Sequence, residues 1–118
     1  MKIEFDICPK RSSKLYVKVI IYKTLSDMRK VVGKGIISIV IEGDGDRIAT
    51  LHTTHCVMTH GLIAHELDHA SQMWVDRCKG HWNKDVDIEE KKSCALERLT
   101  NQFWTKRESI IRKFMGDG

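Results

Sequence analysis

Proline is almost absent: Pro9 is the only one in 118 residues. No low-complexity stretch or internal repeat takes its place, so nothing marks a linker or a domain boundary. Residues 1–118 therefore read as a single domain, long enough to fill one modest core and not two. Long apolar runs are also missing. The run at residues 36–41 is interrupted by Ser38 and falls far short of the roughly 20 residues a bilayer-spanning helix needs. The opening Met1-Lys2-Ile3-Glu4-Phe5-Asp6 has no apolar segment of the signal-peptide kind, so neither a membrane nor a secretory route is expected. The cysteines Cys8, Cys56, Cys78 and Cys94 form no CxxC pair and are irregularly spaced. That argues against a disulfide scaffold and for reduced thiols in the cytoplasm. No basic cluster accompanies the formal net charge of +4, and nucleic acid is not an expected partner. Lys106, Arg107, Arg112 and Lys113 read as the solvated, dipole-compatible end of a helix.

What is present falls into two halves. Residues 2–7 alternate Ile3, Phe5 and Ile7 with charged neighbours, the pattern of a half-buried strand. Residues 9–13 read as a loop, and residues 15–22, rich in β-branched and aromatic side chains, as a second strand. Ser26 and Asp27 offer N-cap chemistry for a short helix that Gly33 stops. Residues 36–41 read as a strand buried on both faces. Gly43-Asp44-Gly45-Asp46 then turns the chain into a hairpin with residues 48–53. The second half is helical. Residues 57–78 carry Ile63, Leu67, Ala70 and Trp74 at helical spacing, and residues 87–113 carry Ala95, Leu96, Leu99 and Phe103. The expected fold is α+β: a small, mostly antiparallel sheet packed against two long helices.

The first of those helices contains His65-Glu66-Leu67-Asp68-His69, an HExxH motif. Residues four apart lie one above the other on a helix. His65 and His69 can thus offer two imidazole nitrogens to one zinc ion. Glu66, one step round, can act as general base toward a metal-activated water without ligating the metal. The competing reading is an amphipathic helix with two surface histidines and ordinary charge pairs. A catalytic zinc wants a third protein ligand, and Glu89 and Glu90 at the start of the last helix are the candidates. Glu89 lies closer to the apolar stripe; Glu90 precedes the small Ser93, which lets the helices approach. Either can instead serve as a first-turn carboxylate of that helix. Glu97, further along, is a weaker third possibility. His81 and His55 are candidate substrate-contacting residues, His55 together with His60 if residues 48–53 form an edge strand to which a peptide can add. Cys78-Lys79-Gly80-His81 has ligand-like spacing for a second zinc with Cys56 or Cys94, although free thiols explain it as well.

The stretch from Gly61 to Ala70, followed by Asp87-Ile88-Glu89-Glu90 opening a helix, resembles zincin-like metallopeptidases of the gluzincin type. The likeness is closest to short metallopeptidases of phages and prophages, and it covers roughly residues 51–104. It implies His65 and His69 as zinc ligands, Glu66 as catalytic base and, by its distance to Ser93 and Leu99, Glu90 as third ligand. Ser93-Cys94-Ala95 departs from the more usual Ala-Tyr after the acidic pair. The implied activity is zinc-dependent hydrolysis of a peptide or protein substrate, in the host cytoplasm if the chain is phage-encoded. The alternative is a zinc-binding phage or prophage module that docks to another protein without turnover. It draws on the small size and on the lack of a tyrosine after the motif, Tyr16 and Tyr22 being the only two.

Overall fold

The computed structural model describes residues 2–11 and 13–114, with the side chains of Lys113 and Phe114 outside the described set. Strand β1 (Lys2–Ile7) pairs antiparallel with β2 (Tyr16–Tyr22). Helix α1 (Leu25–Val32) follows, and its N-cap is Thr24, whose Oγ1 accepts from the Asp27 backbone N–H at 3.1 Å. The expected caps Ser26 and Asp27 therefore fall inside the first turn, because the earlier Thr24 already holds extended dihedrals. Gly33 stops the helix at a φ of 108°, as its position predicts.

Strands β3 (Ile39–Glu42) and β4 (Arg47–Thr54) form the expected hairpin. Two glycines are required in its turn. Gly45 sits at a φ of 60°, and a Cβ on Gly43 would come within 2.5 Å of the Arg47 carbonyl oxygen. The sheet order is β1-β2-β4-β3, with β2 and β4 parallel and the two outer pairs antiparallel. Two expectations are corrected here. Residues 36–41 are not a doubly buried strand: β3 starts only at Ile39, lies at the sheet edge, and leaves Ile37 and Ile41 exposed. Nor is β4 an edge strand, since β2 and β3 flank it.

Helix α2 (His60–Cys78) starts three residues later than its apolar periodicity suggests, because the Thr59 side chain accepts from the Leu62 N–H at 3.1 Å and fixes the first turn there. A single 3-10 turn (Lys79–His81) ends it. Helix α3 (Ile88–Phe114) is capped by Asp87, whose Oδ1 accepts from Glu90 N at 3.2 Å and whose carbonyl accepts from Lys91 N at 3.1 Å. One sheet face (Val17, Val19, Ile21, Ala49, Leu51) packs against Ile63, Leu67, Ala70 and Trp74 of α2 and against Ala95, Leu99 and Phe103 of α3. The opposite face holds a smaller cluster of Ile20, Tyr22 and Met28 under α1. No helix among the described residues is long and apolar enough to cross a membrane.

Thr53 shares its strand face with Leu51 and is fully buried, yet its Oγ1 has no hydrogen-bond partner. Burying a hydroxyl without a partner is unfavourable by roughly 1–3 kcal/mol. Thr53→Val keeps the shape and removes that penalty, so a gain on the order of 1 kcal/mol is expected in denaturant unfolding.

Candidate metal centre

Thr59 and the turn before it aim α2 across the sheet with its apolar stripe inward, which leaves the far side of the helix to solvent. His65 and His69 lie on that side and are exposed, with their rings edge to face and centroids 4.5 Å apart. Their Nε2 atoms approach to 3.1 Å. Two zinc–nitrogen bonds of about 2.0–2.1 Å at a tetrahedral angle separate their nitrogens by roughly 3.3 Å. The two nitrogens are within hydrogen-bonding distance of each other, and their separation is close to the one that two ligands of a single tetrahedral ion need.

Glu66 points toward the protein instead and is only 7% exposed. Burial pushes its carboxyl above the usual carboxylate range, and the nearby imidazoles of His65 and His69 pull it part of the way back. The motif thus places one shielded carboxyl beside two outward imidazoles. Asp68, also within the motif, makes a charge pair of the kind the amphipathic-helix reading expects. It forms an ion pair with Lys92 of α3 at 3.3 Å, and its carbonyl accepts from Ser71 Oγ at 2.8 Å.

Among the described residues, no group of three or more His, Cys, Asp or Glu is arranged to hold a metal, so neither Glu89 nor Glu90 joins the histidine pair in these positions. The two glutamates differ in where α3 puts them. Glu89 is exposed and lies three residues before Lys92, the partner of Asp68. Glu90 lines a depression with Val86, Asp87, Lys91 and Cys94. Glu97 is exposed and borders a cavity away from the histidines, together with Pro9 and Lys10.

The remaining candidates are spread along the molecule. His81 is exposed beyond the C-terminal end of α2, at least ~14 Å along the axis from His69 at 1.5 Å per residue. His55 lies in the turn between β4 and α2, where partial burial and then the Arg107 guanidinium hold its pKa below the ordinary histidine value. His60, in the first turn of α2, rests on the Trp104 ring at 4.3 Å between centroids, and Arg107 stacks over the same ring at 5.5 Å. His52 faces away under α1, with its Nδ1 2.9 Å from the Tyr22 hydroxyl, and desolvation lowers its pKa. All four cysteines are free, and none belongs to a metal-holding group among the described residues.

Sequence reasoning also missed Arg77. From the last turn of α2 its guanidinium donates to the carbonyls of Gly45 (2.5 Å), Gly43 (2.7 Å) and Arg47 (3.2 Å). One side chain thereby fixes the β3–β4 hairpin to the helix that carries the motif. Its only signal in the sequence is a basic residue near a helix end, which is too common to single out. Comparison with family models, with curated proteins and with solved structures returns no match.

Proposed function

We propose that this chain is a zinc-dependent peptidase of the zincin-like, gluzincin type, acting on peptide or protein in the cytoplasm of its cell or, if phage-encoded, of the host. The observation that carries the reading is the 3.1 Å approach of His65 and His69 Nε2 on an exposed helix face, beside a buried Glu66. His65 and His69 are the first two ligands. Glu90 is the proposed third ligand, as the family resemblance implies, and Glu89, three residues before Lys92, is the alternative. A bound zinc ion supplies Lewis acidity toward a peptide carbonyl and lowers the pKa of a water molecule. Glu66 takes the proton of the attacking water and passes it to the departing amine.

An extended peptide has a place to lie. The outer edge of β3 is unpaired, α2 packs against the same hairpin, and Arg77 keeps the two in register. Backbone pairing along such an edge aligns a substrate without reading its sequence. That role passes from β4, where sequence alone put it, to β3.

The test is zinc content together with hydrolysis of a quenched-fluorescence peptide library, for the wild type and for His65→Ala and His69→Ala. About one zinc per chain is expected for the wild type, with activity that a chelator removes and zinc restores. Each substitution is expected to lower metal occupancy at least ~10-fold and to abolish hydrolysis. Activity that survives either substitution contradicts the ligand assignment. Zinc bound by the histidines with no hydrolysis of any peptide favours the non-catalytic docking module instead.

A further inference from the structure

A cavity of about 490 Å³ lies between the β1–β2 loop and the side of α3, and it contains none of the residues of the HExxH motif. Its rim carries three cations: Lys10 from the loop, and Lys91 and Arg98 seven residues apart on α3. A seven-residue step returns to nearly the same helix face after two turns, so the two α3 cations stand above one another along the opening. Glu97 is the one carboxylate in the lining. None of the three cations forms an ion pair among the described residues, whereas Lys2, Lys18, Lys79, Lys92 and Arg112 all do. Lys91 rests instead over the Trp82 ring, 5.7 Å from its centroid.

The loop that supplies Lys10 is held in place. The Gln102 side chain accepts from the Cys8 N–H at 3.0 Å and donates to the Cys8 carbonyl at 2.8 Å, and the Lys10 carbonyl accepts from Ser13 N at 3.1 Å. Gln102 therefore ties the backbone two residues before Lys10 to α3, on the side of the cavity that Arg98 also lines. Anchoring the loop backbone and resting Lys91 on Trp82 reduce the freedom these elements lose when an anion arrives. The floor is apolar, formed in part by the Trp74 indole, and the volume falls in the range of small-molecule sites. Space and apolar surface together exceed what a bare phosphate needs and suit a phosphate carried on a flat ring.

We infer that this cavity binds an organic phosphate of mononucleotide size, with Lys10, Lys91 and Arg98 around the phosphate and the ring against the Trp74 side. The inference does not depend on the metal-site reading, because the two sites share no residue.

Calorimetric titration of the full-length chain with adenosine 5′-monophosphate tests it, with adenosine and inorganic phosphate as companions. Saturable binding of the nucleotide is expected, at least ~10-fold tighter than adenosine and displaced by inorganic phosphate. Lys10→Glu and Arg98→Glu, both at cavity-rim positions, are each expected to weaken it at least ~10-fold, with unchanged far-UV circular dichroism. Reversing Lys30 and Lys34 together, exposed residues at and just after α1, changes the net charge by more and is expected to matter less than ~2-fold. Nucleotide binding no tighter than that of adenosine overturns the inference. So does an equal loss from the Lys30 and Lys34 reversal, or a failure of inorganic phosphate to compete.

Discussion

Replacing Glu66 by glutamine is expected to lower peptide hydrolysis by about 10²–10⁴-fold while leaving zinc bound. The amide keeps the size of the carboxyl and loses its ability to take a proton, and at roughly 1.4 kcal/mol per decade this amounts to about 3–5 kcal/mol of barrier. The proposed ligands His65 and His69 lie on the exposed side of α2 and are unaltered by the change. The same substitution is expected to stabilise the metal-free fold at neutral pH. Burial raises the Glu66 carboxyl in the folded chain above its unfolded value. Its contribution to stability is therefore fully present below the unfolded carboxylate pKa and is lost as pH rises through the folded one. Glutamine has no proton to lose. Metal-free Glu66→Gln should therefore melt higher than the wild type at pH 7, with the gap closing as pH falls toward 4, a gain on the order of 1 kcal/mol at neutrality. Undiminished hydrolysis refutes the base, and a variant less stable at pH 7 refutes the account of its burial.

The second large effect concerns the frame. Phe103 is fully buried, 5.9 Å from the Phe5 ring of β1 and 5.0 Å from Trp104, both between centroids. It is the largest of the fully buried side chains and the point at which α3 locks onto the sheet. Phe103→Ala removes that apolar surface and leaves a cavity, at an expected cost of about 3–5 kcal/mol. A domain of this size has on the order of 5–15 kcal/mol in total, so the variant should unfold at markedly lower urea or not hold its fold at 37 °C. Trp104→Ala, a half-buried neighbour on the same helix, is expected to cost less, since part of its surface already meets water. Equal losses for the two would show that α3 is not anchored where the packing puts it.

Local patterns in the chain foretold its local structure well. The alternation of Ile3, Phe5 and Ile7 becomes β1 at the expected residues, and the glycine-rich turn at 43–46 becomes the β3–β4 hairpin. Gly33 stops α1. Such features depend on neighbours within one turn or one hairpin. The strand order was not legible, because β2 and β4 meet in parallel across an intervening helix and strand. The apolar run at 36–41 misled for a related reason: Ile36 packs under α1 while Ile37 and Ile41 remain exposed, and composition cannot distinguish an edge strand from a central one.

At the candidate site, the convergence of His65 and His69 follows from helical geometry alone and was readable from their spacing. The side of α3 that packs against α2 was not. That depends on the direction set by the local turn at residues 82–87 and on the Asp68–Lys92 pair, a contact between segments distant in sequence. The choice between Glu89 and Glu90 is therefore a tertiary question. So is the work of Arg77, whose three acceptors lie about thirty residues away in the hairpin.

The most direct measurement of the central claim is the zinc content of the purified chain with the zinc X-ray absorption spectrum of the same sample. The account predicts about one zinc per chain and a shell of nitrogen and oxygen at about 2.0–2.1 Å, with imidazole scattering that disappears in His69→Ala. A chain that takes up no zinc from a stoichiometric solution, or a shell dominated by sulfur at about 2.3 Å, would contradict it.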